Sequence, residues 1–285
     1  MSLKGVAQET LHILDEGRYI SNSGNIVELL SEQRAAVAAT ILYTPEQAYG
    51  LVNKQGAADS IQLPIIEVTD ETTQEAARRL VQTEKCKDLL LLNYASARNP
   101  GGGFINGAKA QEEDLCRCSG LYPCLLTQPL YYEANRAQSS LLYTDHIIYS
   151  PKVPWFRTKK LEFLESFFLA SVITAPAPNA GEAVRINKNI WPKIEEVLRR
   201  RASLILAIAR EHGHRTLLLG AWGCGVFRNQ PSMVADTFGN WLASPHFQSY
   251  FDRVVFAVYD PSKQKSTLQA FQTRFQTNST DYYSR

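Results

Sequence analysis

The 285-residue sequence lacks both a long apolar run and a strong charge excess. No stretch approaches the roughly 18 uninterrupted apolar residues of a membrane-spanning helix, and the acid-containing N-terminus has neither a signal-peptide nor an anchor pattern. We therefore expect no membrane association and a cytoplasmic location. The formal net charge of +2 is too weak to attract a nucleic-acid backbone, so no direct DNA binding is expected.

Cysteine is scarce, and its five positions do not form a paired framework. An odd number of thiols without regular spacing is typical of a reducing compartment rather than of a secreted disulfide protein. A zinc site is disfavoured, because the sequence lacks the C-x₂₋₄-C pairs of structural zinc sites. We expect no metal and no cofactor, and free thiols at Cys86, Cys116, Cys118, Cys124 and Cys224.

Two common nucleotide-binding signatures are also absent. No glycine-rich segment ends in the Gly-Lys-Ser/Thr of a P-loop, and none has the G-x-G-x-x-G spacing of a dinucleotide-binding unit. A nucleotide kinase and a Rossmann oxidoreductase are therefore disfavoured.

The sequence does contain an alternation of strand patterns and helical patterns. The first 60 residues read as helices near Glu9–Glu16 and Val27–Ala38, and a further helix begins near Gln111. A helical pattern at 191–214 includes the run Arg199–Arg201, which is interpreted as part of its solvated face. Apolar runs typical of buried strands occur at 88–93, 145–149, 164–173, 215–219 and 253–258. This alternation predicts a layered α/β domain.

A strand, a loop of small residues and a helix start follow one another twice. The first loop contains the triplet Gly101–Gly103, and the second is GAWGCGVFRN at 220–229. Glycine lets the main chain approach an oxygen atom closely, and backbone N–H groups in such loops bind anions. At the carboxyl edge of an open α/β sheet, two such loops would be able to hold a diphosphate from opposite sides.

Two adjacent carboxylates, Glu112 and Glu113, follow the glycine triplet. On a helix their side chains diverge by about 100°, so they would serve two tasks. Mutual repulsion and partial burial favour a proton on one of them near neutrality. A protonated carboxyl beside a glycosidic oxygen is what general-acid cleavage requires. The alternative is that these acids only complement the helix dipole, and the glycines upstream favour the catalytic interpretation.

The segment GGG, seven residues, QEE resembles the signature of poly(ADP-ribose) glycohydrolases. Its surroundings resemble the bacterial-type branch of that family, which is built on a macrodomain. The likeness continues in matching order from about Ile66 to Asp260. It includes the blocks VTDETTQEAARRL, LLNYASARNPGGGFINGAKAQEEDLCRCSGLY, IIYSPKVPWFR, TAPAPNAG, LLLGAWGCGVFRNQP and VVFAVYD.

The resemblance implies a macrodomain-like three-layer α/β/α sandwich with a mixed sheet. Residues 1–60 would form an N-terminal helical extension packed on the core, and residues 61–285 the catalytic domain. The implied reaction is hydrolysis of the ribose–ribose O-glycosidic bond of poly(ADP-ribose), from chain termini, with release of ADP-ribose. The partners are then poly(ADP-ribose) or ADP-ribosylated protein. Three alternatives stay open: hydrolysis of mono-ADP-ribosylated protein, binding of ADP-ribose without catalysis, and an interaction protein that binds no nucleotide.

The resemblance also assigns the residues that follow the first loop. Glu113 would protonate the leaving ribose hydroxyl and then, as a carboxylate, activate water. Glu112 would fix the ribose through its hydroxyl groups, and Gln111 would support the loop or contact the ligand. The backbone of the first loop would contact the diphosphate at Gly101, Gly102 and Gly103.

The second loop is implied to bind phosphate through its backbone, with Phe227 packed on the distal ribose. A ribose-contacting asparagine is expected before the glycines. Asn99 is assigned to it rather than Asn93, although animal enzymes of the family place this asparagine where the chain has Ala97. The N–H donors of the second loop are assigned to Gly223, Cys224, Gly225 and Val226.

Overall fold

The computed structural model describes residues 1–54 and 62–276, and the chain divides into two compact units. The first unit comprises Met1–Tyr43, Thr73–Gln138 and His146–Pro176. The second comprises the described residues of Thr44–Thr72, Ser139–Asp145 and Ala177–Arg285. The predicted boundary between residues 60 and 61 lies outside the described residues, so that division of the chain stays a prediction.

The first unit contains a small hairpin and four strands of mixed direction. The hairpin pairs β1 (Arg18–Ile20) with β2 (Ile26–Glu28). The four strands follow the order β3-β6-β7-β5, with antiparallel pairing of β3 with β6 and of β6 with β7, and parallel pairing of β7 with β5. Their bounds are Ile41–Tyr43 for β3, Leu89–Tyr94 for β5, Ile147–Arg157 for β6 and Phe163–Ala175 for β7.

Helices pack on these strands. The first helix begins where the Ser2 side chain accepts a hydrogen bond from the Gly5 N–H at 3.1 Å, and it ends at Gly17, whose φ is +74°. Its apolar face packs Ile13 and Leu14 against Phe156 of β6. The helices are α1 (Leu3–Glu16), α2 (Leu30–Ala38), α4 (Thr73–Arg78), α5 (Gln111–Cys118), α6 (Leu121–Leu126) and α7 (Pro129–Arg136), with a π-helical turn at Arg79–Thr83 and a 3₁₀ turn at Phe104–Asn106.

The second unit contains three parallel strands and five helices among its described residues. The strand order is β8-β9-β4, with bounds Thr216–Gly220 for β8, Arg253–Ala257 for β9 and Ile65–Thr69 for β4. The strand β8 is buried along most of its length, as its apolar sequence predicts. The helices are α3 (Pro45–Val52), α8 (Ala180–Ile186), α9 (Trp191–Glu211), α10 (Pro231–Leu242) and α11 (Ser266–Gln276).

The predicted strand runs and the helix starting at Gln111 are confirmed, and two interpretations are wrong. The helix predicted at Val27–Ala38 begins only at Leu30, because residues 26–28 pair with β1. The Arg199–Arg201 run does not lie wholly on a solvated face. Arg201 is completely buried, and its guanidinium donates a hydrogen bond to Asp145. A buried arginine needs such a charged partner because it has lost its contact with water.

All five cysteines are free thiols, as predicted. Cys116, Cys118 and Cys124 are buried in α5 and α6. Across residues 1–54 and 62–276, no helix is both long enough and apolar enough to span a bilayer.

A charged contact fixes α1 to β6 and generates a stability prediction. The Arg157 guanidinium, with only 2% of the side chain exposed, binds Glu9 Oε2 at 2.6 Å and lies 4.0 Å from the centre of the Phe163 ring. Glu9→Ala would leave that buried cation without its carboxylate. We expect the free energy of unfolding, measured by urea denaturation, to fall by about 1–3 kcal/mol.

The matched control is Glu16→Ala on the same helix. Glu16 pairs with Arg18 at 3.7 Å, and both side chains are about half exposed, so the expected change is within about 0.5 kcal/mol. Equal effects of the two substitutions would contradict the importance of the buried pair.

Candidate active site

The start of α5 is fastened to the end of β5 by the side chain of Gln111. Its Oε1 accepts a hydrogen bond from the Tyr94 N–H at 2.8 Å, and its Nε2 donates to the Leu92 carbonyl, also at 2.8 Å. The same Nε2 donates to Thr73 Oγ1 at 3.2 Å. Because the amide bonds the strand backbone as another peptide group would, the first turn of the helix has a fixed place beside the strand end.

Glu112 is buried in a polar niche, with 2% of its surface exposed. Its Oε2 accepts a hydrogen bond from the Ser96 N–H at 2.7 Å, and its Oε1 accepts one from Asn93 Nδ2 at 3.2 Å. Burial raises the pKa of Glu112 to about 8, although these hydrogen bonds oppose the shift and the nearby Glu113 charge adds to it. One carboxyl of the pair therefore holds a proton near neutrality, and burial is the main cause.

Glu113 contacts the backbone of the glycine triplet. The Gly103 N–H donates to Glu113 Oε1 at 2.8 Å, whereas Oε2 has no hydrogen-bond partner among the described residues. A Cβ at Gly102 would lie 2.4 Å from Glu113 Oε1, and the φ of Gly102 is +58°. The glycines are needed here because the chain turns through a left-handed conformation while its backbone touches the carboxyl.

The remaining donors of the first loop are also engaged within the protein. The Gly102 N–H donates to the Asn99 carbonyl at 3.0 Å, and the Gly101 backbone hydrogen-bonds Glu112. The Asn99 N–H donates to Ser96 Oγ at 3.2 Å, and Asn99 is exposed. The structure thus brings Gln111, both glutamates and the triplet together, with Asn99 at the outer edge of the turn.

Two residues of this niche were given no role from the sequence. Asn93 bonds Glu112 and Thr174 through Nδ2, and its Oδ1 is buried with no partner in the described part of the chain. Ser96 supplies the backbone donor to Glu112. The signal for Asn93 is a single amide within an otherwise apolar strand, since a buried polar side chain must have a partner. Ser96 carries no comparable signal, because its backbone makes the contact.

The second loop, residues 220–229 of the second unit, has its own internal bonds. Gly223 has a φ of +71°, and a Cβ there would lie 2.4 Å from the Ala177 Cβ. The Cys224 N–H donates to the Ala221 carbonyl at 3.1 Å. Among the described residues, no acceptor bonds the backbone N–H groups of Gly223, Gly225, Val226 and Phe227. A turn with four free donors can bind an anion.

The side chains of the second loop differ in reactivity and in exposure. Burial raises the pKa of the Cys224 thiol to about 12, so the thiol is neutral and is not a nucleophile at neutral pH. Val226 is 81% exposed. Phe227 is partly buried, and its ring centre lies 5.9 Å from that of Tyr143. The binding of one diphosphate by both loops stays a prediction.

The two acids of the first unit have the chemistry of glycosidic bond cleavage. Glu112 holds a proton near neutrality, one oxygen of Glu113 has no partner among the described residues, and both acids occupy the first turn of a helix beyond a glycine loop. Together with a mixed α/β fold, these features define a macrodomain-like hydrolase.

Comparisons with known proteins identify the family. Residues 7–158 match the model for the catalytic domain of microbial-type PARG, poly(ADP-ribose) glycohydrolase, and the chain belongs to this family. No protein in the curated set matches the chain. The resemblance and the macrodomain-like fold inferred from the sequence are confirmed.

Solved structures of bacterial enzymes are similar over most of the chain. The poly(ADP-ribose) glycohydrolase of Thermomonospora curvata bound to the inhibitor ADP-HPD is 44% identical, with a TM-score of 0.89, and the match covers 96% of this chain and 99% of that one. The Deinococcus radiodurans enzyme in complex with ADP-ribose is 46% identical, with a TM-score of 0.79 and coverage of 86% and 97%.

The contact of Gly102 with Glu113 leads to a stability prediction. Gly102→Ala adds a methyl group to a left-handed position and pushes the Glu113 carboxyl away from the Gly103 N–H. We expect the free energy of unfolding to fall by about 2–3 kcal/mol.

Two glycine controls separate these causes. Gly24→Ala keeps the unfavourable positive φ, +86°, but meets no atom within 4 Å, so it should cost only about 1 kcal/mol. Gly50→Ala in α3 meets no atom either and should be neutral or slightly stabilising. A Gly102→Ala effect no larger than that of Gly24→Ala would contradict a structural role for the carboxyl contact.

The raised pKa of Glu112 predicts a pH dependence of stability. Below pH 4.5, its ordinary pKa, the Glu112 carboxyl is neutral in both the folded and the unfolded chain. As the pH rises, it ionises first in the unfolded chain. Stability should therefore decline between about pH 4.5 and about pH 8, and Glu112→Gln should flatten that decline. Thermal melting across this range checks the prediction. Glu133→Gln, at an exposed position on α7, should leave the slope unchanged.

Proposed function

We propose that this chain uses Glu113 to hydrolyse the ribose–ribose O-glycosidic bond of poly(ADP-ribose) and release ADP-ribose. Membership of the microbial-type PARG family establishes the class of reaction. The observation that supports the residue assignment is the asymmetric setting of Glu113: the Gly103 N–H binds Oε1, and Oε2 stays open for a substrate or water. ADP-ribose, the ligand of the Deinococcus radiodurans structure, is the product of this reaction.

The proposed mechanism gives the two carboxyls separate tasks. Glu113 acts in its protonated form and gives that proton to the leaving ribose oxygen as an oxocarbenium-like transition state forms. The resulting carboxylate takes a proton from the water that attacks the ribose carbon, which restores the acid. Glu112 orients the ribose through its hydroxyl groups. A carboxyl that carries a proton can both donate to and accept from a sugar hydroxyl, and burial keeps Glu112 in that form near neutrality.

Backbone donors would hold the diphosphate. In the second loop these donors are Gly223, Cys224, Gly225 and Val226. The N–H groups of Gly223, Gly225 and Val226 have no acceptor among the described residues, and that of Cys224 would exchange its bond to Ala221 for one to phosphate. For Gly101, Gly102 and Gly103, substrate contact would exchange present bonds for bonds to phosphate.

The other assigned residues orient the ligand or its surroundings. The Phe227 ring packs on the distal ribose. Gln111 acts as a support for the acidic turn, because its amide bonds Tyr94, Leu92 and Thr73. Asn99 contacts the ribose at the outer edge of the first loop, where its side chain is exposed.

Further aspects of the function are proposals of the same kind. Cleavage starts at chain termini, and the partners are poly(ADP-ribose) or ADP-ribosylated protein, with no direct contact to DNA. The five free thiols support a cytoplasmic location, because reducing conditions keep cysteines unpaired. Residues 1–60 act as an extension of a catalytic domain formed by residues 61–285.

The decisive experiment compares wild type with Glu113→Gln on labelled poly(ADP-ribose), with products resolved by length. The amide keeps the shape of the side chain but cannot deliver a proton. We expect turnover to fall by at least about 100-fold while the Kd for ADP-ribose, measured by calorimetry, stays within about threefold. Glu133→Gln is the control, because Glu133 lies at an exposed position on α7, in the same unit but outside the acidic turn. Its turnover should stay within about threefold of wild type.

Other outcomes would favour the alternatives. Polymer left intact by wild-type protein that still binds ADP-ribose would indicate a binding-only macrodomain. Faster release from mono-ADP-ribosylated protein than from polymer would indicate the mono-specific hydrolase. Full activity of Glu113→Gln would remove Glu113 from its assigned role.

A further inference from the structure

Phe227 packs against another aromatic side chain outside the closed core of the second unit. Its ring and that of Tyr143 form a tilted pair, with centres 5.9 Å apart and planes inclined by 41°. Both side chains are only partly buried. An aromatic ring that packs on a ribose must keep one orientation, and the neighbouring Tyr143 ring restricts the rotation of Phe227.

The backbone of Tyr143 is itself strained. Its φ is +60°, a left-handed conformation that is uncommon for a bulky side chain. Such a conformation costs free energy and persists only where the surroundings impose it, as they do at many ligand-binding sites. Tyr143 lies in the segment of residues 140–145, within which the Leu142 N–H donates to Ser140 Oγ at 3.2 Å.

Arg201 of α9 holds this segment from inside the second unit. The completely buried guanidinium donates through Nη2 to the Leu142 carbonyl at 3.0 Å and to the Tyr143 carbonyl at 3.4 Å. Through Nε it donates to Asp145 Oδ1 at 2.9 Å. One planar group thereby fixes the chain on both sides of the strained residue.

Asp145 completes the attachment. Its Oδ2 accepts hydrogen bonds from the Tyr49 hydroxyl at 2.5 Å and from Arg200 Nε at 2.7 Å. Burial opposes ionisation, but attraction by Arg201 and the bonds from Tyr49 and Arg200 hold the pKa of Asp145 below its usual value. The carboxylate therefore stays charged and keeps both arginines bound at neutral pH.

The start of α8 joins this segment to the second loop. The Asn179 N–H donates to the Leu141 carbonyl at 2.9 Å, and the Gly181 N–H donates to the Phe227 carbonyl at 2.9 Å. The backbones that carry Tyr143 and Phe227 are thus tied to the same short stretch of chain. These backbone hydrogen bonds, and not the side chains alone, therefore bring the Tyr143 and Phe227 rings into contact.

We propose that Tyr143 is a positioning residue for the reaction, which orients the ribose-packing Phe227 ring while the Arg201–Asp145 pair holds its strained backbone. This inference rests on the proposed function. Tyr143 acts through Phe227 and need not touch the substrate.

The test removes the ring without straining the chain. Tyr143→Gly suits the positive φ, so the variant should melt within a few degrees of wild type. Its kcat/KM on poly(ADP-ribose) should fall about three- to tenfold, whereas Tyr143→Phe, which keeps the ring, should retain it within about twofold. In a Phe227→Ala background, Tyr143→Gly should lower kcat/KM by less than about twofold further, because the ring that it orients is gone.

The outcomes separate this inference from the proposed function. Wild-type protein that leaves polymer intact would overturn the function and the inference together, and full activity of Phe227→Ala would overturn the ribose contact. An impaired Phe227→Ala with an unimpaired Tyr143→Gly would overturn the positioning role alone. Equal losses from Tyr143→Gly in both backgrounds would show a general structural effect and would also overturn it.

Discussion

The contact between the Gly103 N–H and Glu113 Oε1, at 2.8 Å, joins the glycine turn to the acidic helix. It requires the chain at Gly102 to pass so close to the carboxyl that a single methyl group would collide with it. The contact also makes the two oxygens of Glu113 unequal, since Oε1 accepts a hydrogen bond and Oε2 has no partner in the described part of the chain. In the proposed mechanism Glu113 is the proton donor, and one anchored oxygen would keep its direction, on which general-acid chemistry depends as much as on acidity.

Burial is the main factor that reduces the repulsion between Glu112 and Glu113, because it favours the protonated form of Glu112. Glu112 lies in a niche formed by Asn93 and the Ser96 backbone, where a proton is retained to about pH 8. At neutrality the pair therefore carries less than two full negative charges. The N-terminal turn of α5 also favours carboxylates, because the helix dipole is positive at that end.

Local patterns predicted the position of the site better than its contacts. The apolar run of β5 and the acids after Gln111 identified a strand, a glycine loop and a helix start, which local sequence controls. The burial of Arg201 was not predictable in this way, because its partner Asp145 lies 56 positions away in the sequence. The engaged N–H of Cys224 depends on a loop conformation that composition does not determine.

The amide of Gln111 has a consequence for the chemistry of its own position. It accepts a hydrogen bond from Tyr94 and donates one to Leu92, so it needs a donor and an acceptor on one rigid plane. A glutamate there would bring its charge against the Leu92 carbonyl oxygen and would add a fourth acidic side chain to a turn that already contains Glu112, Glu113 and Asp114. The first residue of the triplet Gln-Glu-Glu is thus a neutral amide that binds the strand backbone, and the next two are acids. Because the amide is uncharged, it limits the negative charge at the start of the helix.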